Sequence, residues 1–451
     1  MKKYILFIVL FTNFLYSYEL QTDSKNAYFI DGHFRVIIGV DYKDNQSVLD
    51  YVQEVLSAAK KTWQVEIETL KFKQPRNSDT QKIDIYIGNK SAYNYETEGY
   101  ETVSSSYAGW AESYPSNNTP FFLLNNILSK KLIEVTIAHE FFHTIQYAYF
   151  DERKISDAKW QKNIWWLEAT AVLMEDEVYD GVNDYIDFLS PFFNASYKSF
   201  EIYDGSHEYS MVIFAKYIKE KFGFDIIKKT FQRVETSGDK GYFEIISDLL
   251  EEDHNTTIEK ELLKFAKWCS NPEKYFEEGN LYPNIVHFTA ETLPTMQKGG
   301  IAVVDNIDQN WSMISLPNEF YGVPKSDIEY IWEYDDDKWK INLDLKGYEK
   351  IIKYSSKKGY WIKSKVKTYM YYTSFDKGNF SVANLHTGWN FVSFSKQIDP
   401  KSLDNVKIIW HYKDSKWRYF TNDIQISNTL SDEGYIKSTT IYPYAGYWLL
   451  Y

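Results

Sequence analysis

The stretch from Asn310 to Trp448 carries one pattern twice. Asn310-Trp311-Ser312-Met313-Ile314-Ser315 matches Gly388-Trp389-Asn390-Phe391-Val392-Ser393, and Ile331-Trp332-Glu333-Tyr334 with Lys338-Trp339 matches Ile409-Trp410-His411-Tyr412 with Lys416-Trp417. Each copy closes on Gly-Tyr-Trp, at Gly359-Tyr360-Trp361 and Gly446-Tyr447-Trp448, and the Trp311-to-Trp332 spacing equals that from Trp389 to Trp410. Self-similarity in shared register means one structural unit built twice. Short β-branched and aromatic runs between Gly, Asp and Lys turns read as strands, so two small tandem β-modules are expected, over 306–375 and 376–451. Asp335 to Asp337 reads as a hairpin turn. The repeated aromatics fit the core positions of such a small fold. Placed outside, they would offer faces that stack on sugars, a contact with surface glycans.

Residues 34–173 have a different texture. Phe34 to Val40, Lys82 to Ile87 and Thr119 to Leu124 read as strands. Ser47 to Trp63 has apolar residues at helical spacing (Val48, Val52, Val55, Leu56, Ala59). Three further helical segments follow, Leu132 to Tyr149, Ile164 to Glu177 and Tyr209 to Lys221, the last stopped by Gly223. Helical pattern then continues to Trp268. Strands first and helices after imply an α+β domain, ahead of the two β-modules.

Lys2 and Lys3 precede an apolar stretch from Tyr4 to Leu15, with Ser17 as a small residue before Tyr18. Residues 1–17 therefore read as a signal peptide, and a secreted or periplasmic protein is expected. The stretch is shorter than the roughly 20 residues a spanning helix requires, and no later stretch is long enough, so no transmembrane segment is expected. The formal net charge is −13 with no long basic run, which excludes a nucleic-acid surface. Cys269 is the single cysteine, so an intrachain disulfide is excluded.

The chemistry is concentrated in His139-Glu140-Phe141-Phe142-His143, an HExxH motif. Residues four apart share one helix face, so both imidazoles can reach one ion, and Glu140 beside them is placed to polarise a water. A catalytic zinc site has three protein ligands and one open position. No third His follows at short spacing. Glu168, within Trp165-Trp166-Leu167-Glu168-Ala169-Thr170-Ala171, is the next candidate, because a carboxylate in an apolar helix is costly to bury unless paired or metal-bound.

An HExxH followed by a helical Glu resembles the gluzincin metallopeptidases, the group of thermolysin and the aminopeptidase N-like enzymes. The resemblance implies a zincin-like metallopeptidase domain, here over 18–285, with zinc held by His139, His143 and Glu168, and Glu140 as general base. It implies a donor to the tetrahedral oxyanion downstream of the Glu ligand, for which Tyr209 is preferred to His207. Two positions depart from thermolysin-like chains: Val172 stands where an Asp would hold the first His, and Leu167 precedes the Glu. The partner of His139 is thus unassigned, and Glu175, Asp176 and Glu177 read as a solvated acidic face. Tyr107 to Ala111 is a candidate edge strand for an extended substrate. The expectation is a secreted zinc peptidase, in preference an endopeptidase, acting on a peptide or protein substrate. Two alternatives stay open: a non-catalytic surface or glycan-binding protein working through the C-terminal modules, and a zinc hydrolase with a non-peptide substrate.

Overall fold

In the computed structural model the described residues are 18–150, 156–317, 327–335, 337–375 and 385–451. The expected signal peptide, 1–17, and Asp336 of the expected turn lie outside them. Two units are present. The first comprises the described residues up to Phe150 with Thr170–Tyr185; the second comprises Ser156–Ala169 and the described residues from Ile186 onward.

In chain order the first unit contains β1 (Glu19–Thr22), β2 (Asn26–Asp31), β3 (Phe34–Gly39), α1 (Gln46–Trp63), β4 (Ile83–Gly88), the short pair β5 (Tyr93–Asn94) and β6 (Gly99–Tyr100), then β7 (Gly109–Ser113), β8 (Pro120–Asn125) and α2 (Lys130–Tyr147). The next helix, α3 (Asp157–Tyr179), contributes its second half. One sheet runs in the order β1-β2-β3-β4-β8-β7. β3, β4 and β8 pair in parallel, while β7 pairs antiparallel to β8 and forms the edge. β4 and β8 are buried at every residue, as central parallel strands covered on both faces should be. Ser129 and Asn45 cap α2 and α1 by accepting from backbone N–H groups in the first turn. Phe141 seats α2, its ring 5.5 Å from Phe34 of β3 and 5.9 Å from Trp63 of α1. On the opposite face Arg35 grips Asp84 through two 2.6 Å hydrogen bonds, and Tyr114 donates to the same carboxylate at 2.7 Å.

The second unit opens with the first half of α3 and continues through α4 (Ser190–Asn194), α5 (His207–Ser210), α6 (Val212–Phe222), α7 (Phe224–Val234), α8 (Tyr242–His254), α9 (Ile258–Cys269) and α10 (Pro272–Tyr275). The expected Tyr209-to-Lys221 helix is broken at Met211, whose ψ of −3° departs from helical geometry. Gly223 stops α6 as expected, at φ +82°, a region that favours glycine. Fully buried Trp165, Phe200 and Phe214 anchor this bundle.

Glu261 of α9 is 1% exposed yet charged, gathering Lys221, Lys264, Tyr217 and Thr256 around it. Burial alone would raise its carboxyl; these donors, Lys221 first, lower it to about 2. A carboxyl lowered on folding contributes stability above its unfolded value, lost as pH falls from about 4.5 toward 2. Glu261→Gln is therefore expected to cost about 3 kcal/mol at pH 7 and to flatten the stability profile between those pH values. Urea unfolding across pH measures it.

Next come β9 (His287–Phe288), β10 (Ile301–Ile307), β11 (Asn310–Ser315), β12 (Ile328–Asp335), β13 (Lys338–Ile341), β14 (Glu349–Lys350), β15 (Gly359–Ser364), β16 (Thr368–Thr373), β17 (Trp389–Ser393), β18 (Ile408–Lys413), β19 (Lys416–Phe420), α11 (Ile424–Asp432), β20 (Ile436–Lys437) and β21 (Gly446–Leu450). The two copies fold alike, in orders β11-β15-β12-β13-β14 and β17-β21-β18-β19-β20. Among the described residues only the second carries an α-helix, α11, between its third and fourth strands in sequence. β9, β10 and β16 make a separate three-stranded sheet that packs on α9.

The repeated tryptophans are not core residues. In each Gly-Tyr-Trp the tyrosine turns inward, Tyr360 at 0% and Tyr447 at 2% exposure, and strand alternation puts Trp361 and Trp448 on the outer face. Among the described residues no helix is long and apolar enough to cross a membrane.

Candidate metal centre

α2 places His139 and His143 one turn apart, with their Nε2 atoms 3.1 Å from each other. Each ring is held from behind. Nδ1 of His139 lies 2.6 Å from Oε1 of Glu175 on α3. Nδ1 of His143 lies 2.8 Å from Oε1 of Gln146, whose own amide nitrogen donates to Thr170 Oγ1 at 3.1 Å. Acceptor oxygens behind both rings put the protons on Nδ1 and leave both Nε2 lone pairs turned toward one point. Such lone pairs repel each other at 3.1 Å, and a cation between them removes that repulsion.

Glu168 completes the set. One ligand atom from each of His139, His143 and Glu168 lies within 4.8 Å of the others. Two imidazoles and a carboxylate suit Zn2+ and leave one position of a tetrahedron open. The three residues could therefore hold a metal ion. Glu140, next to His139, is 6% exposed. Gly109 of the edge strand β7 leaves it room: a Cβ there would sit 3.3 Å from Glu140 Cγ and 2.5 Å from the Leu123 carbonyl oxygen. The expected edge strand, Tyr107 to Ala111, is accordingly displaced by two residues, to Gly109–Ser113.

The acidic cluster on α3 corrects the sequence reading. Glu175 and Asp176 are buried, at 5% and 6% exposure, and Glu175 is the partner of His139. Helical period accounts for it: Glu175 lies two turns beyond Glu168, so one helix face supplies both a ligand and the support for another. Burial pushes the Glu175 carboxyl up to about 7, against the pull of His139. A cation on His139 favours its ionised form. Glu175→Gln is expected to weaken zinc binding about 10- to 100-fold, as loss of a buttress to a liganding His does, measured by competition with a chromophoric chelator.

Across this geometry a family model matches residues 14–270, more than half of the 451-residue chain. The chain belongs to DUF6055, a family of unknown function. The DUF6055 match takes in α2 and all of α3, hence every residue of the cluster, and stops short of the tandem β-modules. No curated protein matches the chain.

One residue of this DUF6055 chain escaped the sequence reading. Glu66 sits in a π-helical turn, Gln64–Thr69, that continues α1. It is fully buried, and neither carboxylate oxygen has a hydrogen-bond partner. Burial holds its carboxyl well above the usual range, and His139 is the charge that opposes this. The only sequence signal of Glu66 is a lone Glu between Val65 and Ile67. Tyr209 belongs to the second unit, half-buried on α5, its ring 5.7 Å from Phe188. His207 beside it is buried, and burial lowers its imidazole to about 4.

Proposed function

We propose that this chain is an exported zinc metallopeptidase of gluzincin type. One observation carries the reading: two imidazoles, both buttressed at Nδ1, converge through Nε2 with the Glu168 carboxylate on a single point. Structural histidines have no need of that arrangement. His139, His143 and Glu168 would hold Zn2+. Bound there, the metal supplies a Lewis acid that polarises the scissile carbonyl and acidifies water.

The protein's own groups do the remaining work. Glu140 takes a proton from the attacking water and returns it to the leaving amine. The free edge of β7 pairs with an extended substrate backbone, at a place where Gly109 keeps side chains away from Glu140. Glu175 and Gln146 keep both rings in the liganding tautomer.

Incubating the zinc-loaded chain with a proteome-derived peptide library tests this. Cleavage read by mass spectrometry, stopped by a chelator and restored by added zinc, is expected. Intact peptides in the presence of bound zinc would move the function to a non-peptide substrate or to the modules.

A further inference from the structure

The two β-modules meet about a local two-fold. Ile314 bridges to Ala445, and its repeat counterpart Val392 bridges to Lys358, the counterpart of Ala445. The aromatic contacts exchange in the same way. Trp361 lies 5.4 Å from Tyr412 and 5.6 Å from Trp417; the equivalent Trp448 lies 5.0 Å from Tyr334 and 5.8 Å from Trp339. Reciprocal contacts of this kind define an isologous interface, made here within one chain.

That symmetry creates two equivalent aromatic clefts, both open to solvent. One, about 510 Å³, is lined by Trp311, Trp332, Trp339, Tyr348 and Trp361, with Tyr412 reaching across from the other module. The other, about 450 Å³, uses the same repeat positions of the second module, from Trp389 to Trp448, with Tyr334 and Trp339 reaching across from the first. Among the described residues the lining is tryptophan and tyrosine throughout. The walls stand at right angles: Trp332 to Trp339 at 87° and Trp311 to Trp361 at 87° in one, Trp410 to Trp417 at 88° and Trp389 to Trp448 at 85° in the other. Trp339, Trp389, Tyr348 and Tyr435 remain 37–48% exposed, a cost in water that packing alone does not require.

We infer that these are two boxes for a quaternary ammonium ion, the trimethylammonium group of a choline headgroup. Perpendicular π faces flank a compact cation from two sides, whereas a sugar chain calls for carboxylate or amide acceptors for its hydroxyls, which the described lining lacks. A trimethylammonium carries its charge without an N–H, so a lining free of carboxylates satisfies it. The protein's −13 charge draws cations toward it. Paired boxes on one rigid interface suit a surface that displays many headgroups, where the second contact follows at high effective concentration.

Tryptophan fluorescence of the full chain, titrated with choline chloride, its neutral isostere 3,3-dimethylbutan-1-ol and cellohexaose, tests the inference. Saturable quenching by choline at two equivalents per chain is expected, with the isostere at least about ten-fold weaker. Trp389→Leu and Trp311→Leu should each remove one equivalent and leave the other. Sedimentation with phosphatidylcholine vesicles but not phosphatidylglycerol vesicles would assign the headgroup to a lipid; choline binding without sedimentation would assign it to a soluble or glycan-linked source. Equal binding of the isostere, binding of cellohexaose alone, or no response to any of the three would overturn it. These readouts need no peptidase activity, so they are independent of the metal centre.

Discussion

Glu140→Gln is expected to bind zinc as tightly as the parent and to lose at least about 10²–10⁴ in kcat, the range that a positioned general base contributes. The amide keeps the size of the carboxylate and cannot accept the proton of the attacking water. Because Glu140 is not among the converging ligand atoms, metal content should not move. Folding should also be unaffected, because the amide is isosteric with the carboxylate. The discriminating feature is the split: kcat falls while KM stays near the parent value, since the lost interaction belongs to the transition state. A parallel fall in zinc content would instead make Glu140 a ligand or a structural support.

The second large effect is loss of the metal itself. His143→Ala removes one of two nitrogen donors and leaves His139 and Glu168, too few for a stable tetrahedral site. Zinc stoichiometry is expected to fall from one per chain to near zero under a competing chelator. Zinc should raise the melting temperature of the parent, because a ligand bound only by the native state stabilises it by mass action. The variant should melt at one temperature with and without the ion. Gln146 and Thr170 would persist in the variant, so a loss confined to the metal separates ligation from packing.

What could be read in the sequence, and what could not, follows from the range of the interactions. α1, α2, β3, β4 and β8 were legible because the spacing of apolar residues specifies each locally, and His139, Glu140 and His143 were legible because one helix turn brings them together. Glu168 could be singled out as a carboxylate in an apolar helix. Its convergence with the histidines depends on how α2 and α3 are placed, which no local pattern states. Glu175 was misread for the same reason. A run of three acids looks solvated until a neighbouring helix covers one side of it. Glu66 left almost no trace, since a π-helical turn has no simple periodicity. In the modules the repeat was plain, yet its tryptophans were assigned inward. Size and hydrophobicity favour burial, but strand alternation gave the inner place to Tyr360 and Tyr447.

X-ray absorption at the zinc edge of the chain loaded with one equivalent tests the metal centre most directly. Two imidazole nitrogens and a carboxylate oxygen, with ligand distances of about 2.0–2.2 Å and a fourth light atom, are the expected shell. A shell of oxygens without imidazole, a sulfur ligand, or no stoichiometric binding would contradict the assignment of His139, His143 and Glu168 as a zinc site.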